Sequence, residues 1–266
     1  MIKDITIGQY IPGESPVHHL DPRLKILISL IFIIDLFVIN NFKGYIFVFV
    51  FILSCILIAG IKLKYIFKGL KPILLLILIT AVFNLFLTPG KEQIFSYGRI
   101  IIYKEGFYLA SFMVIRLIFL ITGTSILTLT TSPIELTDGL ESLLNPFKKI
   151  GLPAHELAMM MTIALRFIPT LMDETDKIMK AQMARGASFD EGNLVKRAKA
   201  LIPILVPLFI SSFRRADELA MAMESRCYRG GEGRTRMKIL RYTACDLIAA
   251  FIFIVYVALT IWSRWL

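Results

Sequence analysis

The stretch GFYLASFMVIRLIFLITGTSILTLTT, residues 106–131, decides the fold. Arg116 is its one charge and it holds no proline. It is longer than the roughly 20 residues a helix needs to cross a hydrocarbon core of about 30 Å. A helix apolar on every side belongs in a large core or a bilayer. Working outward, similar runs occur at residues 24–40, 45–61, 73–87 with its flanks, and 247–265. The expectation is an all-α membrane protein with about five transmembrane helices. Composition agrees: 56% of the 266 residues are hydrophobic, and the mean hydropathy is +0.71.

The formal charge of +10 could suggest nucleic acid, but the Lys and Arg residues cluster between apolar runs. That is the positive-inside pattern, so the lipid bilayer is an expected partner and nucleic acid is not. Arg23 and Lys25 flank the first run, and Lys62, Lys64, Lys68 and Lys71 crowd the connection between the second and third. Residues 40–44 and 88–105 are less basic for their length. The N-terminus is therefore expected in the cytoplasm, and five spans would leave the C-terminus outside. Cys55, Cys227 and Cys245 give neither a disulfide framework nor metal-ligand spacing. The first apolar run follows a polar stretch without a small-residue cleavage site, so no cleavable signal peptide is expected.

The stretch 132–246 reads differently. Its apolar runs, 157–172 and 201–213, are interrupted by Arg166, Pro169, Pro203 and Pro207. Making both of them spans would place Lys177, Lys180, Arg185, Lys196, Arg197 and Lys199 outside. Long amphipathic helices along the cytoplasmic face are expected instead. Ser132-Pro133 with Glu135 marks a helix start that runs to about 144–146. A second helix is expected at 153–184 and a third at 194–225. The domains are then 1–131 with four spans, 132–245 on the cytoplasmic side, and 246–266 as the last span.

Those two long helices end in matching phrases, Ala-Gln-Met-Ala184-Arg185-Gly186 and Ala-Met-Glu-Ser225-Arg226-Cys227, 41 residues apart. Asp176 and Asp217 match at the same offset, as do Ala181 and Ala222. A cation at a helix C-terminus is ordinarily worth about 0.3–1 kcal/mol through the helix dipole. Two arginines in repeated phrases point further, to a partner with two equivalent sites. The planar guanidinium pairs bidentately with carboxylate and suits an acidic groove.

Other chemistry is thin. Gly230-Gly231-Glu232-Gly233 lacks the Gly-Lys-Ser/Thr ending of a phosphate loop. His18, His19 and His155 are poorly spaced for a metal, and no nucleophile–base pair is legible. No catalytic residue, cofactor or metal is expected. Asp35 and Arg116 lie within spans, where each alone would cost about 2.5–3.5 kcal/mol at the bilayer centre. An ion pair stapling two helices accounts for them better than a relay, which needs more members; Asn84 could join the same layer. Met159, Met160, Met161, Met172, Met179, Met183, Met221 and Met223 fit either a helix seam or an adaptable partner surface.

At these residues the chain resembles the transmembrane T component of energy-coupling factor (ECF) transporters, over nearly its whole length. Gly8-Gln9-Tyr10 and Ser15-Pro16-Val17-His18-His19-Leu20-Asp21-Pro22-Arg23-Leu24-Lys25 resemble that family's opening phrase. Ala184-Arg185-Gly186 matches its Ala-Arg-Gly motif, and Ser225-Arg226-Cys227 keeps the arginine but departs on both sides. Tyr228-Arg229-Gly230-Gly231-Glu232-Gly233-Arg234-Thr235-Arg236 is similar to its tail. The resemblance implies a non-catalytic subunit in the bacterial cell membrane whose cytoplasmic coupling helices dock on two ABC-type ATPases (A and A′). ATP-driven motion would pass to a vitamin-binding S component in the membrane. The alternatives are the T component of a dedicated nickel or cobalt importer and, from another class, a membrane enzyme acting on lipid or isoprenoid.

Overall fold

The computed structural model describes residues 10–90, 92–97, 100–187, 189, 193–231 and 240–265. Gly8 and Gln9 of the opening phrase, and the tail from Glu232 to Arg236, lie outside them. The elements in order are α1 (Pro16–His19), α2 (Pro22–Val38), α3 (Phe42–Ala59), α4 (Leu63–Leu70) and α5 (Leu74–Leu87), the last two joined by a 3-10 turn at Lys71–Ile73. Then come strands β1 (Gln93–Tyr97) and β2 (Ile100–Tyr103), α6 (Lys104–Thr130), α7 (Pro133–Leu144), α8 (Ala154–Ala184), α9 (Leu194–Glu224) and α10 (Ala244–Ser263). The fold is all-α apart from the antiparallel β1–β2 hairpin, in which Phe95 pairs with Ile102 and Tyr97 with Ile100. Among the described residues the chain forms two units, 10–140 with 240–265, and 141–231.

In the first unit, Phe42–Ala59, Leu63–Leu87, Lys104–Thr130 and Ala244–Ser263 are long and apolar enough to cross a membrane. Helix α2, with 17 residues, is about 25 Å long and packs against α6 and α10 in the same bundle. The lysine-rich connection read as a turn is itself helical: Leu63, Ile66, Phe67 and Leu70 recur at helical spacing, and Ile66 is buried. Pro72 sits in the 3-10 turn that separates α4 from α5. The buried core holds Phe32, Leu36, Val48, Ile52, Phe112, Leu129, Phe253 and Tyr256, with Phe51 and Tyr256 stacked at 4.4 Å. Around it the bundle exposes Phe37, Ile46, Leu57, Leu75, Leu87, Leu247 and Phe251. An apolar surface of that extent is stable only with hydrocarbon as solvent.

Helices α2 and α6 run antiparallel, and their register is legible in three contacts seven residues apart. The Lys25 Nζ donates to the Thr130 carbonyl at 3.1 Å, Gly123 lies where any Cβ would strike the Phe32 ring, and Arg116 donates to the Ile39 carbonyl at 2.9 Å. A heptad seam of this kind is ordinary helix packing. It overturns the expected Asp35–Arg116 ion pair. Arg116 is level with Ile39, one turn (about 6 Å) beyond Asp35, and the two side chains face different neighbours. Asp35 accepts from Tyr256 Oη and Thr260 Oγ1, both at 2.8 Å. Arg116 donates to Tyr45 Oη at 3.2 Å and lies over the Phe112 ring at 4.8 Å. Neutral groups satisfy both charges. Asn84 turns back on its own helix, donating to the Thr80 carbonyl at 2.8 Å.

A polar knot closes one end of this bundle. Thr243 and Asp246 form a capping box at the start of α10, and the free Asp246 Oδ1 accepts from the Asp21 backbone N–H at 2.7 Å. Asp21 in turn caps α2 and pairs with Arg23 at 2.8 Å. Burial opposes ionisation of Asp21, but hydrogen bonds from Arg23 and its charge outweigh it and hold the carboxyl below its ordinary 3.8. The Arg23 guanidinium lies 4.3 Å over the Tyr242 ring. Lys25 Nζ also reaches the His18 carbonyl at 2.9 Å, tying α1 to the knot.

Candidate docking site at two helix tips

The second unit is built on α8 and α9, each of 31 residues. Both are apolar along part of their length and charged along the rest, α8 toward its C-terminal end and α9 both at its start and from Arg214 onward, the arrangement of helices that work at an interface. Three contacts show that they run antiparallel. Arg215 pairs with Glu174 at 2.7 Å, Gln182 Nε2 donates to the Pro203 carbonyl at 3.4 Å, and Met159 and Met223 line one cavity.

The ends of the two helices are built alike. After α8, Arg185 is the C-cap and Gly186 turns left-handed at φ 88°. The Gly186 N–H bonds the Met183 carbonyl at 3.0 Å, and the Ala187 N–H bonds the Gln182 carbonyl at 3.0 Å. This pair of bonds is a Schellman motif, which satisfies the last orphan carbonyls of a helix. After α9 the same motif recurs 41 residues on. The Cys227 N–H bonds the Glu224 carbonyl at 2.8 Å, the Tyr228 N–H bonds the Met223 carbonyl at 3.0 Å, and Cys227 takes the left-handed position at φ 56°. Ser225 turns its hydroxyl onto the Ala222 carbonyl at 3.0 Å, so it serves as an alanine with its polar atom satisfied. Arg185 and Arg226 are both exposed, and neither guanidinium bonds another described residue. Each tip presents an exposed guanidinium just past a capped helix end.

The offset of 41 governs the packing as well as the tips. Glu174 and Arg215 are 41 apart, so this ion pair joins equivalent positions and marks a local two-fold axis. The equivalents of Gln182 and Pro203 are Met223 and Thr162, and Met223 does meet α8 at Met159, one turn from Thr162. Because α9 returns antiparallel, Arg226 lies at the end of the pair opposite Arg185. From Met159 to Arg185 the helix rises roughly 40 Å at about 1.5 Å per residue.

All six residues picked from the phrases therefore stand at the two tips: Ala184, Arg185 and Gly186 at one, and Ser225, Arg226 and Cys227 at the other. The methionines differ in exposure. Met159 and Met223 are half-buried between the helices, whereas Met160, Met161, Met183 and Met221 are exposed. The Glu174–Arg215 pair was not picked from the sequence, although the 41-residue repeat contains it. The Thr243–Asp246 box was also missed, and its three-residue spacing is a readable cap signal.

The geometry defines a class: a helical membrane protein with two equivalent arginine-tipped helix ends. The model of the cobalt transport protein family, CbiQ, matches residues 13–238. Similar proteins include the energy-coupling factor transporter transmembrane protein EcfT of Clostridium kluyveri, 66% identical over 265 residues and covering 99% of this chain and 98% of that one. The protein of the same name from Thermosediminibacter oceani is 65% identical over 251 residues, 94% of each. That from Bacillus subtilis is 47% identical over 264 residues, 99% of this chain and all of the relative. The chain belongs to this family, the transmembrane T components of energy-coupling factor transporters.

Proposed function

We propose that the chain is the coupling subunit of an importer, passing ATP-driven motion from two cytosolic ABC-type ATPases to a vitamin-binding S component in the membrane. The observation that carries this reading is the pair of equivalent tips. A helix pair with a local two-fold axis and an exposed arginine at each of its ends fits a partner with two matching acidic grooves, such as a pair of related ATPases. The name of the relatives, a transporter's transmembrane protein, fits the same reading. The N-terminus and both tips lie in the cytoplasm on this view, as the lysines at 62–71 suggest. The chain itself binds no vitamin and hydrolyses no ATP.

Replacing both Arg185 and Arg226 by Glu tests it, because an interfacial arginine can be worth about 2 kcal/mol or more. The double variant, expressed with its neighbours and purified in mild detergent, should lose both ATPases and vitamin uptake. Single variants should be milder, since one tip still holds the pair in place. Wild-type recovery of the ATPases with the double variant would sink the reading. The family's description as cobalt transport proteins keeps one second reading, a dedicated metal importer. Uptake of labelled cobalt or nickel, in place of a vitamin, would establish it.

A further inference from the structure

The two tips share a backbone but not a surface. Beside the second opens a cavity of about 320 Å³ between Met159 on α8 and Met223 on α9, lined also by Tyr228 and by the exposed Arg226 and Arg229. By the 41-residue equivalence, Ala200 and Gln182 stand at the first tip where the second has Met159 and Met223, and Ala187 stands in place of Tyr228. Two thioethers and a phenol at one end are matched by small or polar residues at the other.

We propose that this cavity is a socket that lets the second tip distinguish between two non-identical ATPases. Its occupant is an acidic segment of one ATPase that presents an aromatic side chain. The walls set the chemistry: thioether sulfurs pack well against aromatic rings and adapt to their shape. The volume is at the small end of ligand pockets, enough for one large side chain. Arg226 and Arg229 have no carboxylate partner among the described residues, so they supply two cations for the flanking acids. The first tip spreads its cations, Arg185 with the exposed Lys196, Arg197 and Lys199 at the start of α9, around small and polar residues, and any acidic groove of the right shape satisfies it. The inference rests on the docking reading above and adds to it which end chooses the partner.

The test uses the full complex, assembled from the chain and both ATPases and purified in mild detergent, with the two ATPases quantified by mass spectrometry. Met159→Trp fills the socket, Arg229→Ser removes its outer cation at an exposed site, and Ala200→Trp is the equivalent change at the first tip. The expected result is that Met159→Trp and Arg229→Ser each deplete one and the same ATPase at least fivefold relative to the other. Ala200→Trp should leave their ratio unchanged. An unchanged ratio in both socket variants would overturn the proposal, as would equal loss of both ATPases in Arg229→Ser, which disturbs no packing. If the wild-type chain brings down no ATPase, the docking reading fails first and the socket falls with it. Two identical ATPases would leave docking standing and overturn the socket alone.

Discussion

Cys227 occupies a conformation that its side chain resists. At φ 56° its Cβ crowds the backbone, at about 1–2 kcal/mol for a residue other than glycine. Glycine would relieve that and lose part of the gain, about 0.5–1 kcal/mol, to its freedom in the unfolded chain. Cys227→Gly should therefore raise the thermal stability of the detergent-solubilised chain slightly, by up to about 1 kcal/mol. Gly186→Ala, which adds a Cβ at φ 88°, should lower it. Paired melting curves check both, and two shifts of the same sign would contradict the equivalence of the tips. Gly186 directly after a helical run signals a left-handed turn. Cys227 gives no such signal alone and becomes legible only through the repeat. Asp35 and Arg116 show the opposite limit. Their presence in spans was plain from the letters, but which group each one meets depends on a seam register and on hydroxyls 71 to 225 residues away.

Helices α8 and α9 were legible nearly to the residue, 194–225 against Leu194–Glu224, because amphipathic periodicity and end signals agree. The short helix after Ser132 was legible for the same reason. Ser132 Oγ accepts from the Glu135 N–H and Glu135 reaches back to the Ser132 N–H, both at 3.2 Å. The β1–β2 hairpin escaped notice since its strands, of five and four residues, are too short to show a period. Proline gives these elements a testable property. Pro169 lies inside α8, and Pro203 and Pro207 inside α9, where each removes a backbone hydrogen bond and its ring disfavours a straight axis. Pro169→Ala should straighten α8 and leave the chain as stable or more so. It should also weaken ATPase association, since the distance between the tips changes while Arg185 and Arg226 remain. Undiminished association alongside a stable fold would show that spacing does not matter.

For the molecule as a whole, the short helix α2 decides the topology. With α2 crossing, five spans put the two ends of the chain on opposite faces; without it, four put them on the same face. Its seam with α6 and the contact from Asp35 to α10 place it within the bundle, so opposite faces are expected. Tags at either end, probed with an impermeant reagent on intact cells, should show the C-terminal tag accessible and the N-terminal one protected. Equal accessibility would exclude the five-span arrangement. The knot around Asp21 and Asp246 bears on the same point, since it gathers the starts of α2 and α10 at one end of the bundle. No hydropathy pattern could have shown that, because the residues that meet are 225 apart.

The ion pair between Glu174 and Arg215 has a mechanical meaning. Where two halves are related by a two-fold axis, matched pushes across the axis cancel at the centre, and only thrust along the axis survives there. A symmetric clamp gripping both tips therefore cannot drag the midpoint sideways. It could twist the pair about that point or drive it straight along the axis, so under such a clamp Glu174 and Arg215 would stand at the pivot of a beam loaded at both ends.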